Sequence, residues 1–181
     1  MPLRRADKVT VLDSAIRQLT YPVGSTPPTP APIFFRPPFI LRARVTQAVP
    51  ELHCMTEFFL IGLHARPARV YSELNGLVDA YDLTRHDYGQ ENALILGDFN
   101  ADGTFFGDVD RLQNVLVRRQ DFRWLIGDNT KTNTLGDKAY DRSAECPPIV
   151  EQRTRLLSGI LPAVNIFHET IPTIVYIHTY V

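Results

Sequence analysis

Two short runs of almost unbroken apolar residues, Glu57 to Leu63 (EFFLIGL) and Ala93 to Leu96, bracket a stretch of different period. Runs this short and this apolar suit strands buried on both faces, because a strand with one wet face alternates apolar and polar. Between them Val70, Leu74, Leu77, Val78 and Tyr81 recur at helical spacing, with Arg69, Glu73 and Asp79 among the intervening positions. That pattern predicts an amphipathic helix. Strand, helix and strand within about 40 residues is the βαβ arrangement of a layered α/β fold, with a mixed sheet equally allowed.

The rest of the chain is read around that unit. Lys8 to Leu12 is a short β-prone run that ends at Asp13-Ser14. Residues 22 to 32 carry Pro22, Pro27, Pro28, Pro30 and Pro32, which predicts a surface loop because proline supports neither a ladder nor a helix interior. Phe39 to Val45 alternates apolar residues with Arg42 and Arg44, as a half-exposed strand does. Phe122 to Ile126 predicts a further strand ended by Gly127-Asp128-Asn129. After Arg142 the string Ser143-Ala144-Glu145-Cys146-Pro147-Pro148 breaks the pattern, and a tail without a motif runs to a β-prone end at Ile171 to Val181.

At 181 residues the chain suits one domain with a sizeable core. No run approaches the apolar length that spans a bilayer, and no apolar segment of a signal peptide follows the basic N-terminus. A formal net charge of −1 means that any contact with nucleic acid must come from a local patch or a bound cation. Cys54 and Cys146 form neither a disulfide framework nor a metal pattern, and whether they pair stays open.

Four residues stand at predicted strand ends: His64 after EFFLIGL, Asp98 and Asn100 after Ala93 to Gly97, and Asp141 after Lys138-Ala139-Tyr140. Ligand sites in α/β sheets gather at the carboxyl ends of strands. Positions i and i+2 of a strand share a side, so Asp98 and Asn100 are placed to converge on one polar target. Histidine there serves as a general acid or base near neutral pH, and aspartates with an amide suit a hard cation such as Mg²⁺ bridging to phosphate. Each residue taken singly favours a plainer role. Asp98 and Asn100 are common turn formers, His64 alone is more often structural, and Asp141-Arg142 more often a surface or cap pair. Their joint placement shifts the balance.

The order Leu63-His64-Ala65-Arg66-Pro67, Gly97-Asp98-Phe99-Asn100-Ala101, Trp124-Leu125-Ile126-Gly127-Asp128 and Ala139-Tyr140-Asp141-Arg142 resembles the deoxyribonuclease I family, within the endonuclease/exonuclease/phosphatase superfamily. Arg5 to Ser14 and Phe34-Phe35-Arg36-Pro37-Pro38 resemble family segments upstream, so the likeness covers roughly residues 4 to 142. It implies a deoxyribonuclease I-like domain over 1–142 with an unmatched tail over 143–181, and an α/β fold that is part of a four-layer α/β sandwich. By the same resemblance His64 is a catalytic histidine, Asp98 and Asn100 organise the metal and the scissile phosphate, and Asp141 orients a second histidine. Arg36 would contact DNA through the minor groove. The implied partners are double-stranded DNA, Mg²⁺ and Ca²⁺, with no membrane; the implied compartment is extracellular, although no signal peptide is visible.

The chain also departs from the family. Two glutamates of the family's N-terminal half, one of them the partner of the histidine matched by His64, have no counterpart here. The closing motif with the second histidine is missing, and the surroundings of His168 and His178 do not match it. Gly103 and Lys138 stand where the family has a disulfide, and the family's calcium loop fits poorly between Asp128 and Asp137, although Thr132 and Thr134 align. Three readings follow: a metal-dependent DNA endonuclease, impaired or partial in this chain; a degenerate module that binds nucleic acid or protein without cleaving; and, ranked last, a phosphatase or lipid phosphodiesterase.

Overall fold

The two apolar runs pair with each other. In the computed structural model, which describes residues 9–20, 32–45, 57–133 and 136–146, one sheet contains six strands. These are β1 (Val9–Ile16), β2 (Phe39–Val45), β3 (Glu57–Gly62), β4 (Ala93–Asp98), β5 (Arg123–Trp124) and β6 (Asp141–Cys146), in the spatial order β1-β2-β3-β4-β6-β5. Three helices accompany them: α1 (Val70–Tyr88), α2 (Asp108–Gln113) and α3 (Val115–Arg118). Strands β3 and β4 run parallel, joined by α1, and every other neighbouring pair is antiparallel. The sheet is therefore mixed, one of the two outcomes that the βαβ pattern allows.

Both faces of the central strands are buried, as their composition requires. Phe59, Ile61 and Ile95 lie on one face and pack with Leu74, Leu77 and Tyr81 of α1 and Leu116 of α3. Removing each such side chain from water contributes about 1.5–3 kcal/mol, which is what holds α1 across the sheet. Phe58, Leu60, Leu94 and Leu96 point the other way and cluster with Ala43, against which Val9, Leu41, Val45 and Leu125 pack. One sheet with helices on one face and apolar residues on the other is the arrangement expected of part of an α/β sandwich.

Several boundaries differ from expectation. Helix α1 continues past Tyr81 to Tyr88 and stops where Gly89 takes a left-handed conformation, its N–H donating to the Arg85 carbonyl. Glu73, one of the charged intervening positions, is fully buried instead of solvated. Strand β1 runs through Asp13-Ser14 to Ile16, with a register shift between Val11 and Asp13 that absorbs one residue. Strand β5 is shorter than Phe122–Ile126. Residues 143 to 146, read as a break in the pattern, instead belong to β6, which inserts between β4 and β5. Ser143 and Glu145 conceal that strand from a hydrophobicity reading, yet both are buried. Residues 22–31 of the loop predicted at 22–32, Cys54, the side chain of Cys146, Thr134, His168, His178 and the rest of the tail from 147 lie outside the described residues. Among those described, no helix is long and apolar enough to cross a membrane.

Candidate active site

His64, Asp98, Asn100, Asp141 and Arg36 meet at one end of the sheet. The parallel pairing of β3 and β4 brings both carboxyl ends to the same edge, and the ladder continues beyond them. Leu63 N–H donates to the Leu96 carbonyl at 3.1 Å and Ala65 N–H to the Asp98 carbonyl at 2.9 Å. Gly97 makes this approach possible: its φ is +142°, and a Cβ there would sit 2.0 Å from the Leu63 carbonyl oxygen. Asp141 arrives differently from what was expected. It starts β6 instead of following a strand, but β6 is antiparallel to β4, so its beginning lies at β4's end. Asp141 is the register partner of Asp98.

Asp98 has two roles. Its Oδ1 accepts the Asn100 N–H at 3.0 Å, closing the turn that bland statistics would assign to it. Its Oδ2 lies 3.7 Å from His64 Nε2, with the two side chains 31% and 38% exposed, so both remain open to a substrate. That separation is an ion contact slightly beyond hydrogen-bond range. Asn100 does not join Asp98 through strand alternation, because β4 has already ended. It sits in a left-handed turn with φ of 50°, a conformation asparagine tolerates, and donates one amide N–H to the Ala65 carbonyl at 3.0 Å. The same carbonyl receives Arg36 Nη2 at 3.4 Å, while Arg36 Nε donates to the His64 carbonyl at 2.9 Å. The 64–65 backbone is thus the hub to which Arg36 and Asn100 are both tied.

Electrostatics divide the site. Burial first and the Asp98 charge second push the Asp141 carboxyl up to about 6, with a hydrogen bond to Thr132 opposing them. Burial and Arg36 lower the His64 pKa, against the pull of Asp98 and Glu73, so the imidazole is neutral at neutral pH. A neutral imidazole accepts a proton, as a general base requires. Two carboxylates facing each other, one reluctant to ionise, are a pair whose repulsion a cation relieves. Among the described residues no group of three or more His, Cys, Asp or Glu side chains converges to hold a metal. Two carboxylates are a donor set that a hard cation can use together with water and phosphate oxygens.

Three further residues support the site in roles that the sequence reading did not assign to them. Glu73 accepts the Phe35 N–H on Oε1 at 2.8 Å and the Arg66 N–H on Oε2 at 2.9 Å, joining the Arg36 and His64 loops through one buried carboxylate. Thr132 Oγ1 accepts the Asp141 N–H at 2.9 Å. Asp102 accepts the Gly103 N–H at 2.6 Å and the Ala139 N–H at 2.9 Å, linking the segment after Asn100 to the one before Asp141. Lys138 lies across Gly103, its Cε 3.3 Å from where a Cβ would be. The two positions that a family disulfide would join are therefore neighbours, and the Asp102 carboxylate supplies a tie beside them. A glutamate beside the apolar helical stripe was the available signal for Glu73, and the calcium-loop alignment for Thr132; nothing local marked Asp102.

No family model matches the chain. Comparison with curated proteins finds deoxyribonuclease-1 of Gallus gallus, 32% identical over 77% of this chain and 47% of its own length. Deoxyribonuclease-1 of Canis lupus familiaris is 32% identical over 88% of this chain and 51% of its own length. Human deoxyribonuclease-1-like 2 is 31% identical over 78% and 50%. Among solved structures, a mannosyl-6-phosphatase of Bacteroides thetaiotaomicron aligns with a TM-score of 0.45 and 14% identity, covering 80% of this chain and 55% of that one. The sequence matches come from one family and agree with the motifs at the sheet end: the chain is a relative of the deoxyribonuclease I family, and spans about half the length of the curated relatives it matches.

Proposed function

We propose that this chain carries the phosphodiester-hydrolysing centre of a DNA endonuclease that uses a divalent cation. The observation that supports the reading most is the meeting of His64, Asp98 and Asp141 at one sheet end, with His64 Nε2 3.7 Å from Asp98 Oδ2 and Asp141 opposite Asp98 in register. Hydrolysis requires a base for the attacking water, a proton for the leaving 3′-oxygen and positive charge near the phosphate. His64, neutral near pH 7, takes the water proton, Asp98 steadies the imidazolium that results, and the leaving 3′-oxygen takes its proton from solvent water. Asp98 and Asp141 would hold Mg²⁺, with Asn100 beside them; when bound, the cation neutralises charge developing on the phosphate. Asn100 keeps a second amide N–H for a phosphate oxygen. Arg36, already anchored to the His64 loop, faces the substrate as a cation and suits the backbone and groove of duplex DNA. Secretion, and Ca²⁺ as a second candidate ion, belong to the same proposal and rest on the likeness to deoxyribonucleases.

A second reading, a module that binds nucleic acid without cleaving it, is favoured by one observation: His64 Nε2 and Asp98 Oδ2 lie 3.7 Å apart, beyond hydrogen-bond range. When residues act as a unit, loss of one costs nearly as much as loss of all. Plasmid nicking by the purified chain with Mg²⁺ and Ca²⁺, beside His64→Ala and EDTA controls, separates the two. Nicking abolished by both controls supports the nuclease; no nicking by folded, soluble protein supports the binding module.

A further inference from the structure

The loop after His64 is held from both sides, and one side chain on it has no place in the chemistry above. Glu73 takes the Arg66 N–H and the Phe35 N–H, while Arg36 holds the His64 and Ala65 carbonyls. This double clamp sets Phe35 beside Arg66, and the Arg66 guanidinium carbon lies 4.3 Å from the Phe35 ring centroid. Arg36 approaches the same ring at 5.7 Å. Phe35 is 52% exposed although its neighbours Ile33 and Phe34 are buried in the core. An aromatic ring left in water costs free energy unless it serves a contact, and here it serves as a flat support for an exposed arginine.

We infer that Arg66, stacked on Phe35, is a pre-oriented phosphate-binding arm for the DNA strand beside the scissile bond. The inference rests on the proposed DNA substrate and adds a contact that the sequence motifs do not name. A free arginine loses rotamer entropy when it binds, whereas a guanidinium already lying on a ring loses less and presents its fork of donors to a phosphate. Polarity fits as well. Asp98 and Asp141 make one side of the site negative, while Arg36 and Arg66 make the flank beyond His64 positive. A chain of net charge −1 attracts DNA only through such a local patch.

The test is binding of a fluorescent 20-base-pair duplex (on the order of two helical turns) by the full chain carrying His64→Ala, so that no turnover occurs, measured by anisotropy across a salt series. Removing one phosphate contact lowers the slope of log K against log salt by about 0.9. Arg66→Ala should show that drop, with affinity reduced on the order of tenfold at physiological salt. Phe35→Ala should leave the slope intact, because the charge remains, and weaken binding about threefold through lost orientation. Arg66→Lys should keep the slope and bind between the two. Arg118→Ala, on an exposed α3 arginine, should change neither. An unchanged slope for Arg66→Ala, equal effects of Arg118→Ala and Arg66→Ala, or no duplex binding at any salt would each overturn the inference. Binding that depends on Arg66 in a chain that never nicks DNA would sustain it while rejecting the nuclease reading.

Discussion

Asp141→Asn should make the cation-free protein more stable while making it a worse nuclease. Asp141 faces Asp98 across the β4–β6 ladder, and burial together with that charge pushes its carboxyl from 3.8 up to about 6. About two units at 1.36 kcal/mol each would be roughly 3 kcal/mol in a dry site. The carboxyl is partly open to water, so screening leaves about 1.5 kcal/mol. The sign follows from proton binding. Between pH 4 and 6 the folded state keeps the Asp141 proton that the unfolded state has released, so raising the pH through this window destabilises the wild type. Asparagine, isosteric and neutral, does not titrate. The variant and the wild type should therefore match near pH 3.5 and diverge as the pH rises, with the full advantage present above about pH 6.5. For a chain of this size that is roughly 3–6 °C in melting temperature. Urea or thermal unfolding in EDTA across this pH range measures it, and added Mg²⁺ should narrow the gap by stabilising only the wild type. A variant less stable than wild type at pH 7, or a difference that does not vary with pH, would refute the argument that these two carboxylates repel.

Three other outcomes follow from the supports of the site. Gly97→Ala should drive β4 from the Leu63 carbonyl, shifting Asp98 away from His64; nicking should fall at least tenfold for a loss of about 1–3 kcal/mol, read by turnover and urea unfolding. Glu73→Ala leaves the Phe35 and Arg66 N–H groups without their acceptor and should cost about 2–4 kcal/mol, with Glu73→Gln recovering part of it. Asp102→Ala should cost about 1–3 kcal/mol at pH 7 by untying Gly103 from Ala139. Burial works against the Asp102 charge, but hydrogen bonds from Ala139 and Gly103, with Lys138 and Arg111, hold its pKa below the ordinary range. Its contribution is thus present above about pH 4 and fades as the pH falls through the depressed value, which unfolding curves of the two proteins at pH 7 and pH 2 would reveal.

The sequence by itself determined what one element can encode. Periodicity in Glu57–Leu63, Val70–Tyr81 and Ala93–Leu96 reports which faces of a strand or helix are apolar, so the β3-α1-β4 core was legible. Asp98 and Asn100 were legible as turn formers at a strand exit, but not the left-handed turn at Asn100, where strand alternation was expected although β4 ends at Asp98. Tertiary structure decided what depends on pairing between distant segments. Strand β6, carrying Ser143 and Glu145 among its buried residues, has no hydrophobic signature, and only its antiparallel insertion beside β4 sets Asp141 against Asp98. Helical spacing sets Glu73 beside the apolar stripe, but its burial is decided by two loops donating backbone N–H groups to that carboxylate. Side-chain pattern records the environment of each element along its own axis; register and loop closure, which assemble the site, are set by contacts that no short window of sequence contains.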